Sequence, residues 1–283
     1  MTTPLAFVAA LFATSVAAGA AGAILGLGGG ILLIPILTLF YGVDLHYAMG
    51  ASIVSVIATS SGAAAAYLQT RLSNVRVGLF LALATVSGAL VGAGLAGVVP
   101  VRALQLLLGL ALGYSAFATI RQLHVELPES PEPDPVALRF GLEGTYYDAP
   151  LDREVKYRAA RVRQGFLAMF GAGLLSGLLG IGSGAFKVLA MDYFMRLPMK
   201  VSTATSNFMI GVTSAATAGV YFARGDIHPL LATPVAVGVL AGAVLGTRLM
   251  ARMRNTTVRK AFLPVLAYLA VSMILRGLGV ELP

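Results

Sequence analysis

Gly26-Leu27-Gly28-Gly29-Gly30 and Gly180-Ile181-Gly182-Ser183-Gly184 interrupt two apolar stretches, and they lie 154 residues apart. A helix broken inside hydrocarbon exposes bare backbone N–H and C=O groups. That is tolerated only where protein buries those groups or where they line a polar cavity. Paired breaks at matching positions of two halves point to a carrier's binding site near the bilayer midplane. The sequence is therefore read outward from these two breaks.

Only 11% of the 283 residues are charged while 58% are hydrophobic, whereas soluble domains carry about 25% charged residues. Apolar runs of about 20 residues are membrane-span candidates. No cysteine is present, which excludes disulfides and thiolate metal sites. His46, His124 and His228 are scattered without ligand spacing, so no metal and no cofactor is expected. The net charge of +8 does not indicate nucleic acid, because the basic residues flank apolar spans. Residues 1–18 lack a basic leader and read as a first membrane segment.

The apolar runs before and after the chain's middle superpose at the same shift of 154 residues. Ser52 falls on Ser206, Ser60 on Ser214, Tyr67 on Tyr221, Gly88 on Gly242, and Tyr114 on Tyr268. This register predicts an internal duplication: a first membrane repeat over 1–121, a polar linker over 122–163, and a second repeat over 164–283. The linker carries eight of the twelve acids, and prolines 128, 131, 133 and 135 make its start extended. Leu138 to Tyr147 reads as a strand pair turning at Gly144, and Arg153 to Arg163 as a basic helix.

The basic cluster Arg153, Lys156, Arg158, Arg161 and Arg163 places the linker in the cytoplasm. A second cluster, Arg248 to Lys260, shares that side only if 164–195 is a hairpin that turns at its break. The same count puts the N-terminus outside. The fold expected is an all-α polytopic membrane protein of two inverted-topology repeats, each a glycine-broken hairpin plus three transmembrane helices.

Helices starting at Gly29 and Ser183 would aim free N–H groups at the breaks, a ready anion site. The backbone of Gly28, Gly29, Gly30, Gly182, Ser183 and Gly184 is thus the first candidate. Lys187 is the second, the one Lys or Arg well inside an apolar span; such a residue is costly there and is a functional-site candidate. Asp192, five residues on, is poorly spaced to pair with it. Ser52, Ser206 and Asn207 complete the set, chosen from a hydroxyl-rich region because the repeat superposes the two serines. Against these stand ordinary packing roles: small glycines at helix contacts and hydroxyls bonding between helices. No catalytic triad or carboxylate pair appears, so no enzyme is expected.

The segment from Gly26 through Ile34-Pro35, its echo at 180–184, and the pairs Ala51-Ser52 and Thr205-Ser206 resemble the TauE/SafE sulfite exporter family, also called the toluene sulfonate uptake permeases. The resemblance covers both halves. It implies a plasma-membrane carrier for sulfite, sulfonates or related sulfur-containing anions. Leu189 stands opposite Pro35, and Ser183 and Lys187 stand where the family more usually has a glycine and an apolar residue.

The expected function is a secondary transporter that exports sulfite or a related small sulfur-containing organic anion by alternating access. It would sit in the inner (cell) membrane, with the lipid bilayer and the anion as partners and a homo-oligomer left open. The rivals are an anion channel and a membrane scaffold or sensor acting through the linker.

Overall fold

Helices here start and stop where the sequence supplies a breaker or a cap. The computed structural model describes residues 4–25, 29–69, 72–121, 134–148, 153–250 and 255–280. The first half comprises α1 (Pro4–Leu25), α2 (Gly30–Phe40), α3 (Leu45–Gln69), α4 (Val75–Ala96) and α5 (Val101–Arg121). The second comprises α7 (Val162–Leu179), α8 (Gly184–Leu189) running into a π-helical segment (Ala190–Phe194), α9 (Met199–Ala223), α10 (Pro229–Met250) and α11 (Asn255–Gly277). Between them lie a short α6 (Pro135–Phe140) and strands β1 (Glu143–Asp148) and β2 (Arg153–Arg158).

The helices pair across the halves: α1 with α10, α4 with α7, α3 with α9, and α5 with α11. Small residues set the closest approaches. A Cβ added at Gly88 would strike the carbonyl of Phe170, and one at Gly242 would strike that of Val16. Likewise, one at Gly173 would strike the Thr85 carbonyl and one at Gly19 the Val239 carbonyl. Each contact maps onto its counterpart at the 154-residue shift, so the α4–α7 and α1–α10 seams are built by the same residues of the register. Small residues at helix seams let backbones approach and gain dispersion contact where lipid offers no hydrophobic drive.

The surface is apolar and the interior is dotted with hydroxyls. Leu79, Leu83, Val91 and Leu95 of α4 face outward, as do Val237, Val244 and Leu245 of α10. Ser52, Ser55, Thr85, Ser202, Thr205 and Thr213 are fully buried. Several of these hydroxyls bond back to their own helix, as Ser55 does to Ala51 C=O at 2.8 Å and Thr213 to Met209 C=O at 2.7 Å. Such bonds satisfy a buried donor without a partner helix. Among the described residues, Val75–Ala96 and Val162–Leu179 are each long and apolar enough by composition alone to cross a membrane.

The two ends of the stretch 160–195 meet: Ala160 N–H donates to Met195 C=O at 2.9 Å. The chain thus goes in along α7, turns at the break, and returns through α8 and the π segment. In the first half Tyr41 returns to α1, with its hydroxyl 3.0 Å from that of Thr14 and its ring edge-on to Phe7.

The linker departs from the sequence expectation. Its strand pair is 143–148 with 153–158, antiparallel, with Glu143 opposite Arg158 and Asp148 opposite Arg153. Gly144 lies within β1, opposite Tyr157, so the turn expected there is wrong. Arg153–Arg158 is a strand, not the start of a basic helix, which begins only at Val162. The physical reason is a two-residue period: Val155 and Tyr157 turn inward between charged neighbours. Prolines 128, 131 and 133 lie outside the described residues.

This unit docks rather than merely connecting. Leu142, Tyr146, Tyr157 and Ala159 share a core with Val77 of α4, Val201 of α9, Met191 of the π segment and Met195. Asn74 fastens the junction. Its side chain caps α4 at Val77 N–H (3.1 Å) and donates to the Tyr157 hydroxyl (3.0 Å) and to Glu143 C=O (3.3 Å), while its backbone N–H donates to Thr205 Oγ1 (3.0 Å). Burial pushes the Tyr157 phenol up from its ordinary value, and the Asn74 bond only partly offsets this.

Candidate functional site

The breaks need backbone that L side chains rarely adopt. Gly29 has φ 67°, Gly180 φ 67° and Gly182 φ 70°, all in the left-handed region that favours glycine. Ser183 occupies the same region at φ 45°, and its hydroxyl donates to Ala172 C=O of α7 at 2.7 Å. Gly29 and Ser183 immediately precede α2 and α8, so each helix begins at its break.

Helix α3 brings the two breaks together. The Ser52 hydroxyl lies 3.1 Å from Gly30 C=O and 2.8 Å from Gly180 C=O. Those carbonyls belong to different halves of the chain. Val56, one turn further on, abuts Gly30 and also comes within 2.9 Å of a Cβ placed at Gly182, whose other neighbour is Ile210 at 3.1 Å. Ile210 occupies the position of Val56 in the second half, so α3 and α9 cross beside both breaks. Ser206 repeats only the first of these bonds, donating to Gly184 C=O of its own half at 3.3 Å.

The other candidates separate. Asn207 Nδ2 donates to Thr203 C=O of its own helix at 3.1 Å. Lys187 is wholly buried. Its Nζ donates to Thr213 Oγ1 of α9 at 3.0 Å, and Thr213 Oγ1 lies 3.3 Å from Thr85 Oγ1 of α4. Among the described residues no carboxylate forms an ion pair with Lys187, and Asp192 sits half-buried in the π segment. Gly28 lies outside the described residues, as do Gly26 and Leu27. No cluster of metal-ligating side chains occurs among the described residues.

Sequence reasoning missed Thr85, which with Ser87 is one of two hydroxyls in the largely apolar α4. It also missed a network at the far end of α9. There the Arg224 guanidinium pairs with Asp226, donates to Ala93 C=O at 2.7 Å and lies over the Tyr221 ring at 4.6 Å. Tyr221 is fully buried, and its hydroxyl donates to Gly177 C=O of α7 at 2.8 Å. The signal available was the pair Arg224 and Asp226 two residues apart after an apolar span.

Buried hydroxyls at two glycine breaks inside an apolar-faced bundle fit a polytopic membrane protein. Residues 11–273 match the family profile described as Sulfite exporter TauE/SafE. The chain belongs to the TauE/SafE family. Family membership makes it a membrane transporter, and the relatives agree. It is 26% identical over 268 residues to the probable membrane transporter protein YunE of Bacillus subtilis (strain 168), covering 92% of this chain and 95% of that protein. It is 25% identical over 238 residues to the probable membrane transporter protein YdhB of the same organism, covering 84% of this chain and 88% of that protein. No solved structure matches. The TauE/SafE match spans both breaks.

Proposed function

We propose that the chain is a secondary transporter that exports sulfite or a related small sulfur-containing organic anion across the plasma membrane by alternating access. The observation that carries this reading is the convergence of the two breaks on Ser52 and Val56. Val56 lies against both Gly30, where α2 starts, and Gly182, two residues before α8, and helix N-termini present positive, amide-rich ends suited to an anion. The family name supports sulfite as the first substrate to try.

The repeated seam contacts support two halves related by inverted topology. Helix α2, and α8 with its π segment, each hold 11 residues, about 16 Å of helix. That is about half of a hydrocarbon core of about 30 Å, so each hairpin turns near the midplane. Arg76, Arg139, Arg158, Arg161 and Lys200 gather at the end where α4 and α9 meet the linker. The opposite end holds Asp44, Asp226, His46 and His228 with fewer cations, Arg102, Arg224 and Arg276. The positive-inside pattern then sets the linker in the cytoplasm and the N-terminus outside.

In the proposed site, first-turn amides after Gly29 and Ser183 hold the anion, with Gly28, Gly182 and Gly184 completing the two loops. Ser52 and Ser206 close the breaks by binding the carbonyls those loops release. Lys187 supplies positive charge behind the second break, and Asn207 lies beside Ser206. Alternating access would rock the halves about the α3–α9 crossing. An anion leaving alone gains about 2.3 kcal/mol per charge for each 100 mV of inside-negative potential.

Thermal unfolding of the purified protein against sulfite, thiosulfate, sulfonates and carboxylates tests the binding claim. A saturable upward shift is expected with sulfite or a sulfonate. No shift with any of these anions would contradict the reading.

A further inference from the structure

The second half holds an amine where the first half holds a hydrocarbon. Lys187 corresponds to Leu33 in the repeat register, Thr213 to Thr59, and Thr85 to Val239. Leu33 and Val239 are buried like their counterparts. The amine and Thr85 are therefore not needed for the packing of a half, whereas Thr213 keeps a threonine as its counterpart. The Lys187 amine reaches Thr213 of α9, three residues beyond Ile210, which itself packs against Gly182 of the second break.

Its surroundings are incomplete for a cation. An ammonium has three N–H donors, and the acceptor found among the described residues is the Thr213 hydroxyl at 3.0 Å. The titratable residues on the helices around it are few. Arg76 on α4, Arg163 on α7 and Lys200 on α9 lie at the linker-side helix ends, Tyr221 lies near the other end of α9, and Asp192 lies in the π segment. None of them pairs with Lys187. A buried cation with no counter-charge is disfavoured. An anion at the breaks supplies that counter-charge.

We infer that Lys187 is the proton-coupling group of this transporter, taking up one proton with each anion and giving it back when the anion leaves. The inference rests on the anion-transport reading above. The balance is simple: the neutral amine accepts a proton from the face that is open and becomes an ammonium beside the anion. With a singly charged anion such as a sulfonate or hydrogensulfite, the occupied site carries no added net charge when it turns. On the other face the anion departs and the ammonium loses its proton to water. No electron moves. The carrier then runs as the combined anion and proton gradients direct, and the membrane potential contributes nothing.

The test uses the full chain in proteoliposomes with labelled methanesulfonate, a strong-acid anion that carries no proton of its own. Wild-type protein should move one proton per sulfonate, with a rate unchanged by an imposed potassium-diffusion potential. Lys187→Arg keeps a cation that does not give up its proton. It should retain sulfonate-for-sulfonate exchange and lose net flux, and the exchange itself reports that the variant is folded. Potential-driven sulfonate flux without proton movement in wild type would overturn the coupling while leaving the transport reading intact. Proton-coupled net flux in Lys187→Arg would also overturn the coupling. Absence of any sulfonate or sulfite flux in wild type would overturn both.

Discussion

The hydroxyl of Ser52 lies 2.8 Å from the carbonyl of Gly180, 128 residues away in the chain. The same hydroxyl reaches the Gly30 carbonyl, so one short side chain on α3 serves the ends of two helices in different halves. A hydroxyl carries a single proton and shares it between these carbonyls. This explains why a serine stands there: a longer donor would not fit where Gly30 already abuts Ser52 and Val56.

Replacing Ser52 by alanine leaves buried carbonyls at both breaks short of a donor. An unsatisfied buried polar group costs about 1–3 kcal/mol. Ser206→Ala removes a single bond of 3.3 Å and should cost less. Thermal unfolding in detergent should place Ser52→Ala below Ser206→Ala; the reverse order would deny Ser52 its role as the joint between breaks.

The seams give a sharper contrast. Gly88→Ala and Gly242→Ala each push a methyl into a facing backbone carbonyl, and overpacking typically costs about 1–3 kcal/mol. Gly94, also in α4, meets nothing within 4 Å. Gly94→Ala should therefore stay within about 0.5 kcal/mol of wild type. Equal yields and melting temperatures for all three variants would refute the close α4–α7 and α1–α10 packing.

The docked hairpin has a pH signature. Burial raises the Tyr157 phenol above its ordinary value of 10.0. A group whose folded value is raised stabilises the fold fully below its unfolded value, and that contribution is lost as pH rises through the folded value. Docking should thus weaken only above about pH 10. The phenolate absorbance difference between wild type and Tyr157→Phe should show a phenol ionising later than free tyrosine. Ionisation at or below the ordinary value would mean the hairpin is not docked.

At the other end, Asp226→Asn removes the carboxylate from Arg224, which is otherwise held by Ala93 C=O and the Tyr221 ring. Hydrogen bonds to charged groups contribute about 1.5–3 kcal/mol, and a loss of that order is expected. Asn74→Ala, at the linker end, should loosen the hairpin without this effect. Limited proteolysis after residue 148 distinguishes the two, since only the second variant should be cut faster.

Much of this was legible in the chain because the constraints are local and repeated. A break inside an apolar run needs glycine, and a close seam needs a small residue at a fixed register. Gly88 with Gly242 and Ser52 with Ser206 therefore stood out before any coordinates. The packing partners of Lys187 did not. Thr85 lies far from Lys187 in sequence, and nothing in α4 marks it except a hydroxyl among apolar neighbours. The linker strands were misplaced because charge masked periodicity. Arg153, Lys156 and Arg158 suggested a basic helix, while the alternate burial of Val155 and Tyr157 carried the weaker but decisive signal. The Arg224 network did not stand out, since its partners Ala93 and Tyr221 are brought to it by the fold.

Labelled-sulfite flux in proteoliposomes addresses the central claim, that the joined breaks form one anion site. Wild-type protein should give saturable flux, and a folded Lys187→Ala, Ser206→Ala double variant, monodisperse by size exclusion, should lose it. Wild-type flux from that double variant, or no saturable flux from the wild-type protein, would contradict the account.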